Sequence, residues 1–164
     1  MSTSTTTAPR VTTLVSSLGD RLVAVLSRHS INVLRVSLGL VFLGFGLLKF
    51  VPGLSPAEPL VVRTLDTLSF GLVPPAAALL ITAVMETFIG LTLITGRWLL
   101  AGLLVLAAAM GGIMSPLVLF TADLFAGGPT IEAQYVLKDI VLVAAGLVVA
   151  AKALGARLVV TDRR

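Results

Sequence analysis

Four long apolar runs, separated by short polar links, organise most of this sequence. They cover about 31–50, 75–95, 98–120 and 131–154. Each run is close to the ~20 residues that a helix needs to cross the hydrocarbon core of a bilayer. Because lipid cannot satisfy free backbone N–H and C=O groups, each run is predicted to be helical. The pattern therefore predicts an all-α fold, a polytopic membrane four-helix bundle over residues 31–154.

The two ends of the chain have a different character from the apolar runs. Residues 1–10 show no order-forming pattern and are predicted to be a disordered tail. Across 11–28, apolar residues recur close to i, i+3, i+4 and i+7, which predicts an amphipathic helix over 11–30. Such a helix would lie in the membrane interface or against a partner. Residues 155–164 are predicted to be a basic cytoplasmic tail.

The links between the runs contain local structure of their own. SPAE at 55–58 has the form of a capping box, with Ser55 as the cap, and predicts a short helix on the outer face. Arg63 and Asp66 are spaced to pair within that helix. In the third run, Pro116 removes a backbone hydrogen bond, so a kink is predicted there.

Composition narrows the possible chemistry. The 164 residues are 57% hydrophobic and only 12% charged, about half the charged fraction of an ordinary soluble chain. The sequence has no cysteine, which excludes thiol chemistry and iron–sulfur clusters within it, and its single histidine rules out a bis-histidine haem or a histidine-rich metal site in one copy. The net charge of +4 does not indicate nucleic-acid binding.

The distribution of basic residues predicts the topology. Lysine and arginine concentrate before and early in the first run and at the end of the fourth, whereas the link 121–130 has none. The positive-inside rule therefore predicts a multi-pass protein of the plasma (inner) membrane with both termini in the cytoplasm.

Ionisable residues inside the four runs include Arg35, Lys49, Glu86, Lys138 and Asp139. Arg35 is close enough to the cytoplasmic end to snorkel. The predicted topology brings the other four together on the outward half, with Glu86 roughly 16 Å into its helix. A charge at that depth costs about 2.5–3.5 kcal/mol on insertion scales, so Glu86 is expected to face the bundle and to be paired or protonated.

This group of charges has two interpretations. It can be an interhelical ion network that fixes packing, with Lys49 reaching the outer headgroups. It can instead line a polar pocket for a small ligand or a proton, with Tyr135 at its mouth either as an interfacial anchor or as a hydrogen-bonding partner of a quinone-like headgroup. The candidate ligand-binding residues are Lys49, Glu86, Tyr135, Lys138 and Asp139.

Three segments, RVSLGLVFLGFGLLKFVPGLSPAE at 35–58, METFIGLTLITGR at 85–97 and PTIEAQYVLKDIVLVAAGLVV at 129–149, resemble the DoxX-like family of small four-helix bacterial membrane proteins. The resemblance implies association with redox systems, either as a membrane subunit of a thiosulfate:quinone oxidoreductase or beside oxidative-stress enzymes. It also implies functional roles for Lys49, Glu86, Tyr135 and Lys138. Asp139 departs from the asparagine expected there, and its carboxylate could neutralise Lys138.

Three functions follow as hypotheses. The first is a membrane subunit of a redox or respiratory assembly that contacts quinone; because the sequence has no bis-histidine haem site, flavin motif or thiol, electrons would come from other subunits. The second is an accessory subunit whose charges only hold helices together. The third is a small proton-coupled transporter centred on Glu86. The residues leave open whether the chain is part of an enzyme.

Overall fold

A computed structural model describes the backbone of residues 9–157 and the side chains of residues 19–157. Throughout this part of the chain the regular structure is helical. Most of the predicted disordered tail, and the basic tail from residue 158 onward, lie outside the described residues. Pro9 and Arg10, which were predicted to belong to the disordered tail, instead begin the first helix.

Helix α1 runs without interruption from Pro9 to Leu48 and has 40 residues. The residues of the amphipathic helix predicted over 11–30 form the first half of α1, with no break between them and the first apolar run. No proline or glycine stands between residues 28 and 34 to end the helix there. At 1.5 Å per residue α1 is about 60 Å long, roughly twice the thickness of a bilayer core.

The remaining helices follow the predicted runs closely. The short helix α2 spans Glu58–Leu68, and α3 spans Pro75–Thr95. The third run is divided into α4, Leu99–Met114, and α5, Pro116–Leu119. One further turn, α6, covers Thr121–Leu124, and α7 covers Ile131–Ala153.

Three helical stretches of the described chain are long and apolar enough to cross a membrane: Gly19–Leu48, Pro75–Thr95 and Leu99–Leu119. These are the helices of a multi-pass membrane protein. The fourth predicted span corresponds to α7, which is helical over 23 residues and carries Lys138 and Asp139 in its N-terminal half.

The four long helices pack as a closed bundle in which α3 lies between α1 and α4, and α7 lies between α4 and α1. Apolar side chains from all four meet at its centre, including Phe42, Ile89, Leu106 and Val149. The described chain is therefore all-α, as predicted, and its four long helices share one apolar core. Helix α2 lies across one end, packed on α3 and touching α4 and α5.

Glycines bring α1 and α3 into close contact. A Cβ atom on Gly90 would lie 2.6 Å from the backbone nitrogen of Leu43 and 2.8 Å from the carbonyl oxygen of Gly39. Nearer the end of α1, a Cβ on Gly46 would lie 3.0 Å from the Cβ of Glu86. Small residues permit such close helix approach in membranes. This antiparallel crossing places the end of α1 beside the middle of α3.

The predicted kink at Pro116 is confirmed, and Ser115 compensates for the hydrogen bond that the proline removes. Proline has no N–H, so the carbonyl of Gly112 cannot receive the usual helical hydrogen bond from position 116. The hydroxyl of Ser115 donates to that carbonyl at 2.7 Å. The chain can thus turn from α4 into α5 with this backbone oxygen still satisfied.

Two local predictions around α2 are wrong. Ser55 does not cap the helix, because α2 begins at Glu58 with Ala57 as its N-cap and no side-chain cap. The carboxylate of Glu58 reaches back to the backbone N–H of Gly53 at 2.8 Å. Arg63 pairs with Asp123 rather than with Asp66. The fold brings Asp123 to α2, and a local pair along an exposed helix is worth only about 0.2–0.5 kcal/mol.

Arg35 was expected to snorkel, but it caps the end of α3 instead. Its Nη1 donates to the carbonyl oxygen of Leu93 and lies 3.4 Å from that of Ile94. Carbonyls in the last turn of a helix have no partner within the helix, and they carry the negative end of its dipole. A half-buried guanidinium therefore stabilises the α3–α1 contact at this end of the bundle.

Replacing Arg35 with methionine is expected to lower the free energy of unfolding by about 1.5–3 kcal/mol, the range for a hydrogen bond to a charged group. Unfolding in mixed micelles titrated with a denaturing detergent measures this loss. Arg28→Met is the matched control, because Arg28 is exposed on the same helix. Equal stability of the two variants would show that the cap contributes nothing.

Candidate functional site

Lys49 and Glu86 form an ion pair inside the bundle. Lys49 Nζ lies 2.7 Å from Glu86 Oε2, and the two residues are only 5% and 7% exposed. The glycine crossing makes this contact possible, since α1 ends at Leu48 beside the middle of α3. The prediction that Glu86 faces the bundle and is paired is confirmed. Lys49 does not reach toward headgroups, because its ammonium is buried against Glu86.

Lys138 and Asp139 form a second pair, with Lys138 Nζ 3.1 Å from Asp139 Oδ1. Their side chains differ sharply in exposure, at 49% for Lys138 and 13% for Asp139. Consecutive residues point about 100° apart around a helix, so Asp139 turns into the bundle while Lys138 stays at its edge. Asp139 lines the same cavity as Lys49 and Glu86.

Phe45 connects the two pairs. Its ring centroid lies 5.7 Å from Lys49 Nζ and 5.1 Å from Lys138 Nζ. Lys138 Nζ is also 4.7 Å from the ring centroid of Tyr135. Ammonium groups within about 6 Å of a ring are attracted by its quadrupole. Sequence reasoning missed Phe45, although it precedes Lys49 by four residues, about one helical turn.

All five predicted ligand-binding residues line one cavity of about 220 Å³. Most of its other walls are apolar, including Val41, Phe42, Met85 and Leu142. The cavity thus combines a polar group of side chains with a surface suited to an aromatic ring or an alkyl chain.

Helix α2 covers this cavity. Its apolar side chains Val61, Leu65 and Leu68 contribute to the lining. Arg63, on another side of α2, pairs with Asp123 and lies 3.9 Å from the ring centroid of Phe120. These contacts hold α2 against the α5–α6 segment. The helix that covers the cavity is therefore fixed in place by side chains outside the cavity.

The charges of the cavity balance. Two lysines and two carboxylates line it, so their formal charges sum to zero. Its volume exceeds the ~150 Å³ of an engineered apolar cavity that holds benzene and is below the ~300–1,000 Å³ of pockets for drug-sized ligands. The arrangement suits an uncharged molecule about the size of one substituted ring. Lys138 and Tyr135 can donate hydrogen bonds to such a molecule.

Among residues 19–157, no three His, Asp or Glu side chains gather in a group that could hold a metal ion. No protein-family model, curated protein or solved structure matches the chain.

Proposed function

We propose that all four long helices cross the plasma membrane and that both termini lie in the cytoplasm. The charges of the fourth helix are compatible with this arrangement, because Asp139 is directed inward and Lys138 is paired with it. The charges of the other helices are likewise sheltered: Lys49 and Glu86 satisfy one another, and Arg35 caps α3. Intramembrane charges are typically paired and directed into the bundle in this way.

Within that membrane bundle, we propose that the chain is a subunit of a redox or respiratory assembly and that its cavity holds a quinone-type headgroup. The supporting observation is the gathering of the five predicted polar residues around one otherwise apolar cavity of about 220 Å³. The sequence resemblance described above independently implies a redox association. Electrons would be exchanged with other subunits, and this chain would bind and orient the ring.

The cavity suggests how the ring would be held. A planar ring can stack on Phe45, and a ring oxygen can accept hydrogen bonds from Lys138 Nζ and the Tyr135 hydroxyl. An uncharged headgroup matches the zero formal charge of the lining, whereas an anion or a cation would meet both a favourable and an unfavourable partner. An alkyl tail could leave between the helices into lipid.

The test uses the protein in lipid nanodiscs and a benzoquinone with a short alkyl chain. Binding is expected to raise the midpoint temperature of unfolding, because a ligand that binds only the folded state stabilises it. Lys138→Met is expected to weaken binding about tenfold, which corresponds to the ~1.4 kcal/mol of one lost hydrogen bond. Calorimetric titration measures the dissociation constant.

Two controls make this result specific. Lys152→Met removes an exposed lysine of the same helix outside the cavity and should leave the dissociation constant unchanged. An alkylbenzene with the same tail but no ring oxygens should bind more weakly. Equal binding of both compounds would show that the cavity takes apolar molecules without recognising a quinone.

The assembly itself is tested by purification in a mild detergent. Co-purification of other redox subunits in fixed ratio supports the proposed role, and a chain that purifies alone or only with copies of itself contradicts it.

The second candidate is a packing role for the charges, and the mutual satisfaction of Lys49 and Glu86 favours it. In that case ligand addition would not change the stability of the wild-type bundle. The hypothesis of a proton-coupled transporter needs Glu86 to exchange partners, which would require Lys49 to move away. Proton uptake by reconstituted vesicles that disappears in Glu86→Gln would support it.

A further inference from the structure

The first half of α1 extends beyond the bundle with an uncovered apolar face. We call residues 19–30 the extension. Leu22, Val23, Val25 and Leu26 are all exposed there. At about 100° per residue, these four side chains occupy an arc of roughly 160° around the helix, and His29 and Ser30 at the end of the extension fall within the same arc. That arc is much wider than the narrow seam of a two-stranded coiled coil, so it favours contact with a broad apolar medium.

The direction in which this apolar arc faces indicates what it contacts. Leu22 is 18 residues before Leu40, or about five helical turns at 3.6 residues per turn, so both side chains point the same way. Val33 lies close to the same line and is also exposed, as is Leu40. On the membrane-spanning part of α1, this line faces away from the bundle, toward lipid. The apolar face of the extension therefore continues the lipid-facing side of the span.

The basic residues of the extension lie beside this face. Arg21 and Arg28 are seven residues apart, about two turns, and so form a row along one edge of the apolar arc. Both are exposed. The single acidic residue of the extension, Asp20, lies on the far side of the helix from Leu22. Arginines flanking an apolar face match a surface of anionic lipid headgroups.

We propose that the extension docks on the anionic surface of the bilayer, with Leu22, Val25 and Leu26 in the interface and Arg21 and Arg28 at the lipid phosphates. If α1 bends away from the bundle, its lipid-facing side turns down onto the membrane and its apolar arc meets the headgroup region. This proposal requires a membrane-inserted bundle, but it does not depend on what the cavity binds.

The chain has a region suited to such a bend. Ser27, Ser30 and Asn32 follow one another closely where the extension meets the span, and serine and asparagine are weaker helix formers than alanine or leucine. The hydroxyl of Ser27 donates to the carbonyl of Ala24 at 3.1 Å. Serine hydroxyls bonded to their own helix backbone often accompany helix bending.

The test exploits the absence of cysteine from the sequence, which allows a spin label at single introduced cysteines. The variants Leu22→Cys and Leu26→Cys probe the apolar arc, and Ala24→Cys and Ser27→Cys probe the opposite side. Leu40→Cys places a label on the lipid-facing side of the membrane-spanning part of α1, as a reference for contact with lipid. Collision rates with oxygen, which concentrates in lipid, and with a water-soluble nickel complex are measured in nanodiscs that contain phosphatidylglycerol.

Labels at positions 22 and 26 are expected to collide preferentially with oxygen, as at position 40, and labels at 24 and 27 with nickel. Replacing both arginines with glutamine, or using phosphatidylcholine alone, should reduce this contrast. Each arginine near an anionic surface contributes ~1 kcal/mol, so each replacement should lower the ratio of docked to undocked extension about fivefold.

Three results would overturn the proposal. Equal nickel exposure at all four extension positions would mean that the helix projects freely into water. Protection of positions 22 and 26 from both reagents would mean that protein covers the arc. Loss of oxygen contact at position 40 would mean that this face of α1 is not in lipid, which would overturn the membrane topology together with the docking.

Discussion

Lys49→Met is expected to lower the free energy of unfolding of the bundle by about 3–5 kcal/mol, the usual cost of removing one partner from a buried ion pair. The substitution keeps most of the side-chain volume but leaves the Glu86 carboxylate buried without its ammonium partner at 2.7 Å. The double variant Lys49→Met/Glu86→Met removes both charges and should recover most of the lost stability. Denaturing-detergent titration in mixed micelles measures all three proteins.

Lys152→Met again serves as the control, because this lysine is exposed on α7 and loses no buried partner. A single Lys49→Met variant as stable as the wild type would show that the Glu86 charge has another partner or is absent.

The double variant also separates the two interpretations of the charges. If they serve packing alone, the double variant should be stable, and the alkyl quinone should stabilise neither it nor the wild type. If they shape the binding site, it should be stable but should lose much of its affinity for the quinone. Stability and binding are both measured on the folded double variant, so a loss of affinity is distinguished from a loss of folding.

Gly90→Ala is expected to destabilise the bundle by about 1–3 kcal/mol, the usual cost of overpacking a tight contact. The new methyl group would meet the backbone of α1 at Leu43 and Gly39, which cannot move aside as a flexible side chain can. Relief requires α1 and α3 to separate, and this separation would also draw Lys49 away from Glu86. Both the free energy of unfolding and quinone affinity should fall.

Gly44→Ala is the matched control on α1. Nothing lies within 4 Å of a Cβ at Gly44, and alanine is a better helix former than glycine by about 0.5–1 kcal/mol. The two glycine-to-alanine changes should therefore have opposite signs. If Gly90→Ala were as stable as Gly44→Ala, the close crossing would not determine the position of α1.

Several elements could be predicted from local sequence because their signals are strong and short-ranged. The bounds of α3 agree with the predicted run, since proline begins it and Gly96, with φ of 72°, ends it in a left-handed conformation. Thr130 starts α7 by accepting a hydrogen bond from the backbone N–H of Ala133. The break at Pro116 follows from its missing N–H.

Other features depend on contacts between distant parts of the chain. The partner of Arg63 is Asp123, 60 positions away, and the anchor of Arg35 is the end of α3. The role of Phe45 becomes visible only when α7 brings Lys138 against its ring. Local spacing instead favoured an Arg63–Asp66 pair, because it cannot report on such long-range contacts.

The sequence by itself determined that the chain is helical and apolar, where most helices begin and end, and that Glu86 must be sheltered within the bundle. These conclusions follow from hydropathy, helix-ending residues and the cost of a charge in lipid, which act locally. The tertiary structure decided that Lys49 is the partner of Glu86, that five polar residues share one cavity, and that α2 covers it. Those outcomes depend on how closely α1 and α3 approach at their glycines, and an interhelical distance is a property of the packed bundle.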